Sequence, residues 1–214
     1  MDWSQPIDLY CERTDASLWS EPVNALSNVA FLVAAALALR LWRRGDRADR
    51  PTLALIAVVA AVAVGSFVFH TVATGGAILA DVIPIAVFIY GYLLLALCRF
   101  LHLPPVVAAA IVVAFAAGAQ ALSALAPPRL LNGSVGYLPA LTALIAVALA
   151  AREEGTRHNL GLAALVFAIS LAFRTVDMTL CPQFPLGTHF IWHILNAVVL
   201  YMLLRTAMIA RNVG

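Results

Sequence analysis

Seven apolar stretches, each roughly twenty residues long, use nearly the whole of this 214-residue chain together with the short segments that join them. They run over residues 23–42, 52–73, 78–97, 103–125, 135–151, 160–176 and 190–209. About twenty apolar residues in a helix cross the hydrocarbon of a bilayer. Lipid offers no partner to a backbone N–H or C=O, so such a stretch must satisfy those groups within its own helix. The expected fold is therefore an all-α membrane protein, a seven-transmembrane helix bundle. Residues 1–22 form an extracytoplasmic N-terminal segment, residues 23–210 the membrane domain, and residues 211–214 a cytoplasmic tail.

Composition excludes the alternatives. The chain is 63% hydrophobic and only 11% charged, with a mean hydropathy of +0.94. Soluble domains carry about 25% charge, and half of that cannot solvate a globule of this size. A soluble enzyme, a disordered chain and a disulfide-dense secreted scaffold are ruled out. Thirteen basic against eleven acidic residues is too even a balance for nucleic acid. All thirteen basic residues are arginine, a bias expected of a bacterial source.

Arginine placement orients the bundle. Ten arginines, among them Arg43, Arg44, Arg99 and Arg205, fall on one side of the predicted spans; Arg13, Arg129 and Arg174 fall on the other. The positive-inside rule then puts the N-terminus outside and the C-terminus in the cytoplasm, as an odd number of spans requires. The first twenty residues lack the basic start of a signal peptide, so the first span is expected to be retained.

Ionisable side chains inside spans are costly and usually functional. Here they collect in one layer. Ser66 and His70 lie near the outer end of the second span, Asp81 in the first turns of the third, Arg174 and Asp177 at the end of the sixth, and His189 and His193 at the start of the seventh. Glu21, Asn24, Ser27 and Asn28 open the first. The inner halves of the same spans are almost wholly apolar.

Spacing sharpens this pattern. His189 and His193 are four residues apart, so they share a helix face and can both point at one metal ion. His70 supplies a third ligand from another helix. Three histidines with a fourth position open are the pattern of a catalytic zinc site. Asp81 is a candidate general base, or alternatively an acceptor that orients a ligand histidine. Ser66 is placed to hold water or to donate to a developing oxyanion. Asn24, Ser27 and Asn28 either cap the first span or bond across helices. Asp177 either pairs with Arg174 or binds near the site. Cys11 and Cys181 both fall on the outer side, where disulfides persist, and a bridge would tie the N-terminal segment over the site. Cys98, at the inner end, is expected to be a free thiol.

Together these residues resemble the alkaline ceramidases and their wider superfamily of seven-span hydrolases, which includes the adiponectin receptors. The motifs are Glu21-Pro-Val-Asn24-Ala-Leu-Ser27-Asn28, Gly65-Ser66-Phe-Val-Phe-His70, Asp81, Asp177 with Cys181, and His189-Phe-Ile-Trp192-His193. The resemblance implies a zinc amidase with His70, His189 and His193 on the metal, Ser66 and Asp81 assisting, and a Cys11–Cys181 bridge. It also implies a calcium ion bound by Asp8, Glu12 and Glu21, with Tyr10 giving a backbone carbonyl and Asn24 or Thr14 helping. The chain departs from the family in this segment, with Leu9-Tyr10 where an Asp-Trp pair is usual and Arg13 where an acidic residue is usual.

The expected activity is hydrolysis of the amide bond of ceramide or a ceramide-like N-acyl lipid. The expected partner is a membrane lipid, with no nucleic acid and no obligate protein partner; the expected location is the bacterial inner membrane. Three rivals remain: an esterase or phospholipase on the same site, a lipid receptor with a structural zinc, and a metal or proton transporter, which would need polar residues through the inner half of the bundle.

Overall fold

A computed structural model describes residues 3–127 and 130–211. Arg129, counted above on the outer side, and residues 212–214 of the expected tail lie outside the described residues. The elements are α1 (Pro22–Ser27), α2 (Val29–Arg44), α3 (Arg50–Val72), α4 (Gly75–Phe100), α5 (Pro105–Leu125), a 3-10 segment (Leu130–Tyr137), α6 (Leu138–Ala150), α7 (Glu154–Leu180) and α8 (His189–Arg211). They make seven helical stretches long and apolar enough to cross a membrane, α1 and α2 forming one and the 3-10 segment and α6 another. Among the described residues there is no strand, only an isolated bridge between Pro6 and Thr74.

Local chemistry starts the helices where they start. The Asp49 carboxylate accepts from the Thr52 amide at the head of α3, and Thr74 Oγ1 accepts from the Ala77 amide at the head of α4. Glu153 accepts from the Gly155 and Thr156 amides at the head of α7. Each satisfies donors that a first helical turn leaves orphaned.

Packing then decides which helices meet. α3 packs most extensively on α4, and α7 on α8. The α3–α4 approach depends on Gly65. A Cβ there would lie 1.8 Å from the carbonyl oxygen of Ala80, so only glycine permits this crossing. The next residues along, Ser66 and Asp81, are thereby brought to the same level. α5 lies at the periphery; of its residues only Ala108 is buried. Val106, Val113 and Leu125 are exposed apolar side chains, a costly arrangement in water and the ordinary one in lipid.

The N-terminal segment closes one end of the bundle. Its backbone joins the α3–α4 turn, where the Ile7 amide donates to Ala73 and Trp3 accepts from the Gly76 amide. The Cys11–Cys181 disulfide, with Cα atoms 5.4 Å apart, fastens it to the end of α7. Cys98 is a free thiol.

Candidate metal centre

The three histidines meet at the end of the bundle that the N-terminal segment covers. His70 stands in the last turn of α3; His189 and His193 occupy the first two turns of α8. All three are buried, and each offers a ring nitrogen within 4.8 Å of the others. Ring centroids are 4.5 Å apart for His189–His193, 4.7 Å for His70–His193 and 5.2 Å for His70–His189.

Each ring is held from outside the triad. His70 Nδ1 lies 2.6 Å from Glu21 Oε2. Burial pushes Glu21 up, but bonds from His70, Arg13 and Asn24 outweigh burial and hold it below the usual carboxylate range. An ionised carboxylate only accepts, so His70 carries its proton on Nδ1 and presents a lone pair at Nε2. Ser27 Oγ donates to the Asn24 carbonyl at 2.7 Å and lies 2.7 Å from His193 Nδ1. Its single proton is thus committed, and it accepts from His193 Nδ1, leaving Nε2 of that ring unprotonated as well. His189 is stacked on the Tyr10 ring at 3.6 Å. Burial pushes the Tyr10 hydroxyl above its ordinary range, so this cover stays neutral.

His189 is fixed through its backbone. Asp177 Oδ1 accepts from the amides of Thr188 (2.6 Å) and His189 (3.0 Å), while Oδ2 accepts from the Cys11 amide at 3.0 Å. One buried carboxylate therefore joins α7, the start of α8 and the N-terminal segment. The turn before α8 needs Gly187, whose φ is +63° and whose Cβ would lie 2.2 Å from Asp177 Oδ1. Arg174 turns elsewhere. Its guanidinium sits over the rings of Tyr10, Tyr137 and Trp192 and bonds the Asn132 carbonyl. Of the two roles left open for Asp177, the one beside the site is the one seen.

The triad fits a metal ion. His70 Nε2 and His189 Nδ1 are buried with no hydrogen-bond partner. Such orphaned nitrogens each cost about 1–3 kcal/mol unless something binds them. Neutral imidazoles are the ligands that divalent transition ions take. Across the same space, Ser66 and Asp81 line a cavity with Tyr10, His189 and His193. The Asp81 carboxylate oxygen Oδ1 is buried and has no hydrogen-bond partner. From this polar mouth the cavity runs inward between the helices, lined by Phe31, Val62, Phe88, Leu144, Phe167 and Leu203. Its lining spans His189 to Leu203 along α8, a rise of about 20 Å.

Three partners of the site were not singled out as such by the sequence: Glu21 for His70, Ser27 for His193 and Asp177 for the head of α8. Glu21 and Ser27 lie 49 and 166 residues from the rings they hold, and Asp177 reaches the head of α8 across a turn 11 residues on, so no helix spacing rule connects them.

The calcium ligands implied by the resemblance do not come together. Asp8 is exposed. Both Glu12 oxygens accept from backbone amides at the start of α1, those of Val23 (2.7 Å) and Asn24 (2.8 Å). Burial nevertheless pushes Glu12 up, against these bonds. Glu21 is bonded by Arg13, Asn24 and His70. Among the described residues, the only three or more histidine, cysteine or acidic groups placed to share an ion are the three histidines. Asp8, Glu12 and Glu21 are therefore not placed to share one ion.

In comparison with known proteins, the family model described as Ceramidase matches residues 9–213. No curated protein matches the chain.

Proposed function

The chain belongs to the ceramidase family, and from that premise we propose that it is an intramembrane zinc-dependent lipid amidase. It hydrolyses the amide bond of ceramide or a ceramide-like N-acyl lipid, releasing a long-chain amine and a fatty acid. The observation that carries this reading is the position of the histidine triad. His189, with a buried ring nitrogen that has no partner, and His193 line the polar end of an otherwise apolar cavity together with Asp81, whose Oδ1 is also unpartnered, and the third histidine, His70, is within reach of the same ion.

His70, His189 and His193 would hold the ion. When bound, zinc supplies Lewis acidity, which polarises a carbonyl and acidifies water. The residues of the chain supply the rest. The apolar lining takes the lipid tails and leaves the amide at the mouth. Asp81 takes the proton of the attacking water through Oδ1 and returns one to the leaving nitrogen. Water adds across the C–N bond, its oxygen to the acyl carbon and its protons to the amine and the acid. Ser66 orients the Asp81 carboxylate. Tyr10, stacked on His189, covers the mouth and limits bulk water.

By the arginine bias, the site faces the extracytoplasmic side of a bacterial inner membrane, with the C-terminus in the cytoplasm. The test is release of amine and fatty acid from N-acyl sphingoid lipids in mixed micelles, with and without a zinc chelator. Ester and phospholipid substrates run in parallel. Zinc-dependent amine release supports the proposal. Turnover of esters alone, or tight lipid binding without product, overturns it in favour of the corresponding rival.

A further inference from the structure

Of the three carboxylates that the resemblance assigns to a calcium ion, Glu21 is bonded to an arginine instead. Arg13 is buried, with 6% of its surface exposed. Its Nε donates to Glu21 Oε1 at 2.5 Å. Nη1 donates to the carbonyls of Asp15 (3.0 Å) and Ser17 (3.4 Å), and Nη2 to the carbonyl of His70 (3.3 Å). One carboxylate and three backbone carbonyls are a cage of hard oxygens, the donor class that calcium takes. Here the cage closes on a guanidinium that is always charged and is part of the chain.

We infer that Arg13 is the resident cation of this segment, standing in for calcium, and that it acts through Glu21 as a positioning residue for His70. With Glu21 Oε1 fixed by Arg13, Oε2 is directed at His70 Nδ1, 2.6 Å away. The same guanidinium holds the His70 carbonyl at the end of α3. Ring and backbone of one triad member are thus set by one buried cation. A covalently attached cation does not dissociate, so the order of residues 13–21 and the aim of His70 are independent of calcium. The calcium part stands on the cage alone; the positioning part rests on the metal reading of the triad.

The first measurement needs no variant. Melting curves of the purified wild-type protein in detergent are recorded in millimolar calcium chloride and in EGTA. Superimposable curves are expected; a saturable rise in Tm with calcium overturns the inference. Zinc affinity is then compared by chelator competition in wild type, Arg13→Ala and Arg13→Lys. Loss of a partner that orients a ligand costs about 10–100-fold in metal affinity, and that loss is expected for Arg13→Ala. Arg13→Lys, which keeps the charge but not the planar fork, is expected to fall between. Wild-type affinity in Arg13→Ala overturns the positioning role. If Arg13→Ala does not fold, wild-type affinity in Arg13→Lys overturns it. Absence of zinc from the wild-type protein would remove the metal reading and the positioning role with it, while the calcium comparison would still decide the nature of the cage.

Discussion

Each end of the bundle buries a carboxylate–arginine pair, and the two are finished differently. At the end remote from the histidines, Asp49 Oδ1 accepts from Arg99 Nη2 at 2.8 Å and from the Thr52 amide at 3.3 Å. Its Oδ2 accepts from Arg99 Nη1 at 2.9 Å and from Thr52 Oγ1 at 2.7 Å. Arg99 also donates to the Ala207 carbonyl, so α3, α4 and α8 are locked together. At the other end, Arg13, Glu21 and His70 form an equally dense network, but it stops short of closing. The six buried side-chain atoms without partners among the described residues belong to Asn24, Asn28, His70, Asp81, Arg174 and His189. All lie toward the end that carries the triad, and none lies at the Asp49 end. Unpaired buried groups are costly, so their segregation separates a network that only stabilises from one that keeps the capacity to bind.

That contrast can be broken experimentally. The largest effect is expected at Asp81. If Asp81 is the base, as proposed, Asp81→Asn removes the proton acceptor without replacing a histidine, so kcat should fall about 100- to 10,000-fold while zinc content stays at the wild-type level. Full activity in this variant would end the assignment of Asp81 as base.

Asp49→Ala is the converse. Stability should drop by about 3–5 kcal/mol, the usual result of leaving a buried partner charge uncompensated, with zinc content and kcat of the folded protein unchanged. Denaturant titration and metal analysis on one sample decide it. The Asp49 pair also predicts a pH dependence. Burial pushes Asp49 up, but the Arg99 and Thr52 bonds outweigh it and hold it below the usual carboxylate range. A depressed folded-state pKa stabilises fully above the unfolded value of about 3.9 and loses that contribution as pH falls through the folded value. The Tm gap between wild type and Asp49→Asn should therefore stay constant through neutral pH and close only below about pH 4.

Reduction of the Cys11–Cys181 bridge should cost about 2–5 kcal/mol and act at one end. Hydrogen-exchange protection should fall for residues 3–21 and the head of α8 but not around Asp49. The smallest effect is expected at Val113, 69% exposed on α5. Val113→Ala should shift stability by no more than about 0.5 kcal/mol and leave both networks intact.

The seven spans were legible because apolar run length is a local property. Most of their ends were legible to within about three residues, and the sixth was the least legible, since α7 starts at Glu154 and not at 160. The sixth span is expected to stop at 176, where Arg174 and Asp177 interrupt the hydropathy, yet α7 continues to Leu180. Those two side chains are tolerated because distant groups satisfy them: the Asn132 carbonyl for Arg174, and the Cys11, Thr188 and His189 amides for Asp177. The triad was legible for a related reason. The four-residue spacing of His189 and His193 is a helix-face signal, and His70 sits at a matching depth on its own span. What holds the rings was not legible, because the Glu21–His70 and Ser27–His193 contacts join separate helices. The calcium set shows the limit of resemblance from the other side. Carboxylates at family positions are present, but Asp8 is exposed, Glu12 accepts from the Val23 and Asn24 amides, and Glu21 is bonded by Arg13, Asn24 and His70.

The central claim is that the three histidines hold a metal ion. Its most direct test is the metal content of the purified protein beside that of a variant carrying His70→Ala, His189→Ala and His193→Ala. About one zinc per chain, lost in the triple variant, is the predicted result. A well-folded wild-type protein that carries no zinc and takes none up when it is supplied would contradict it.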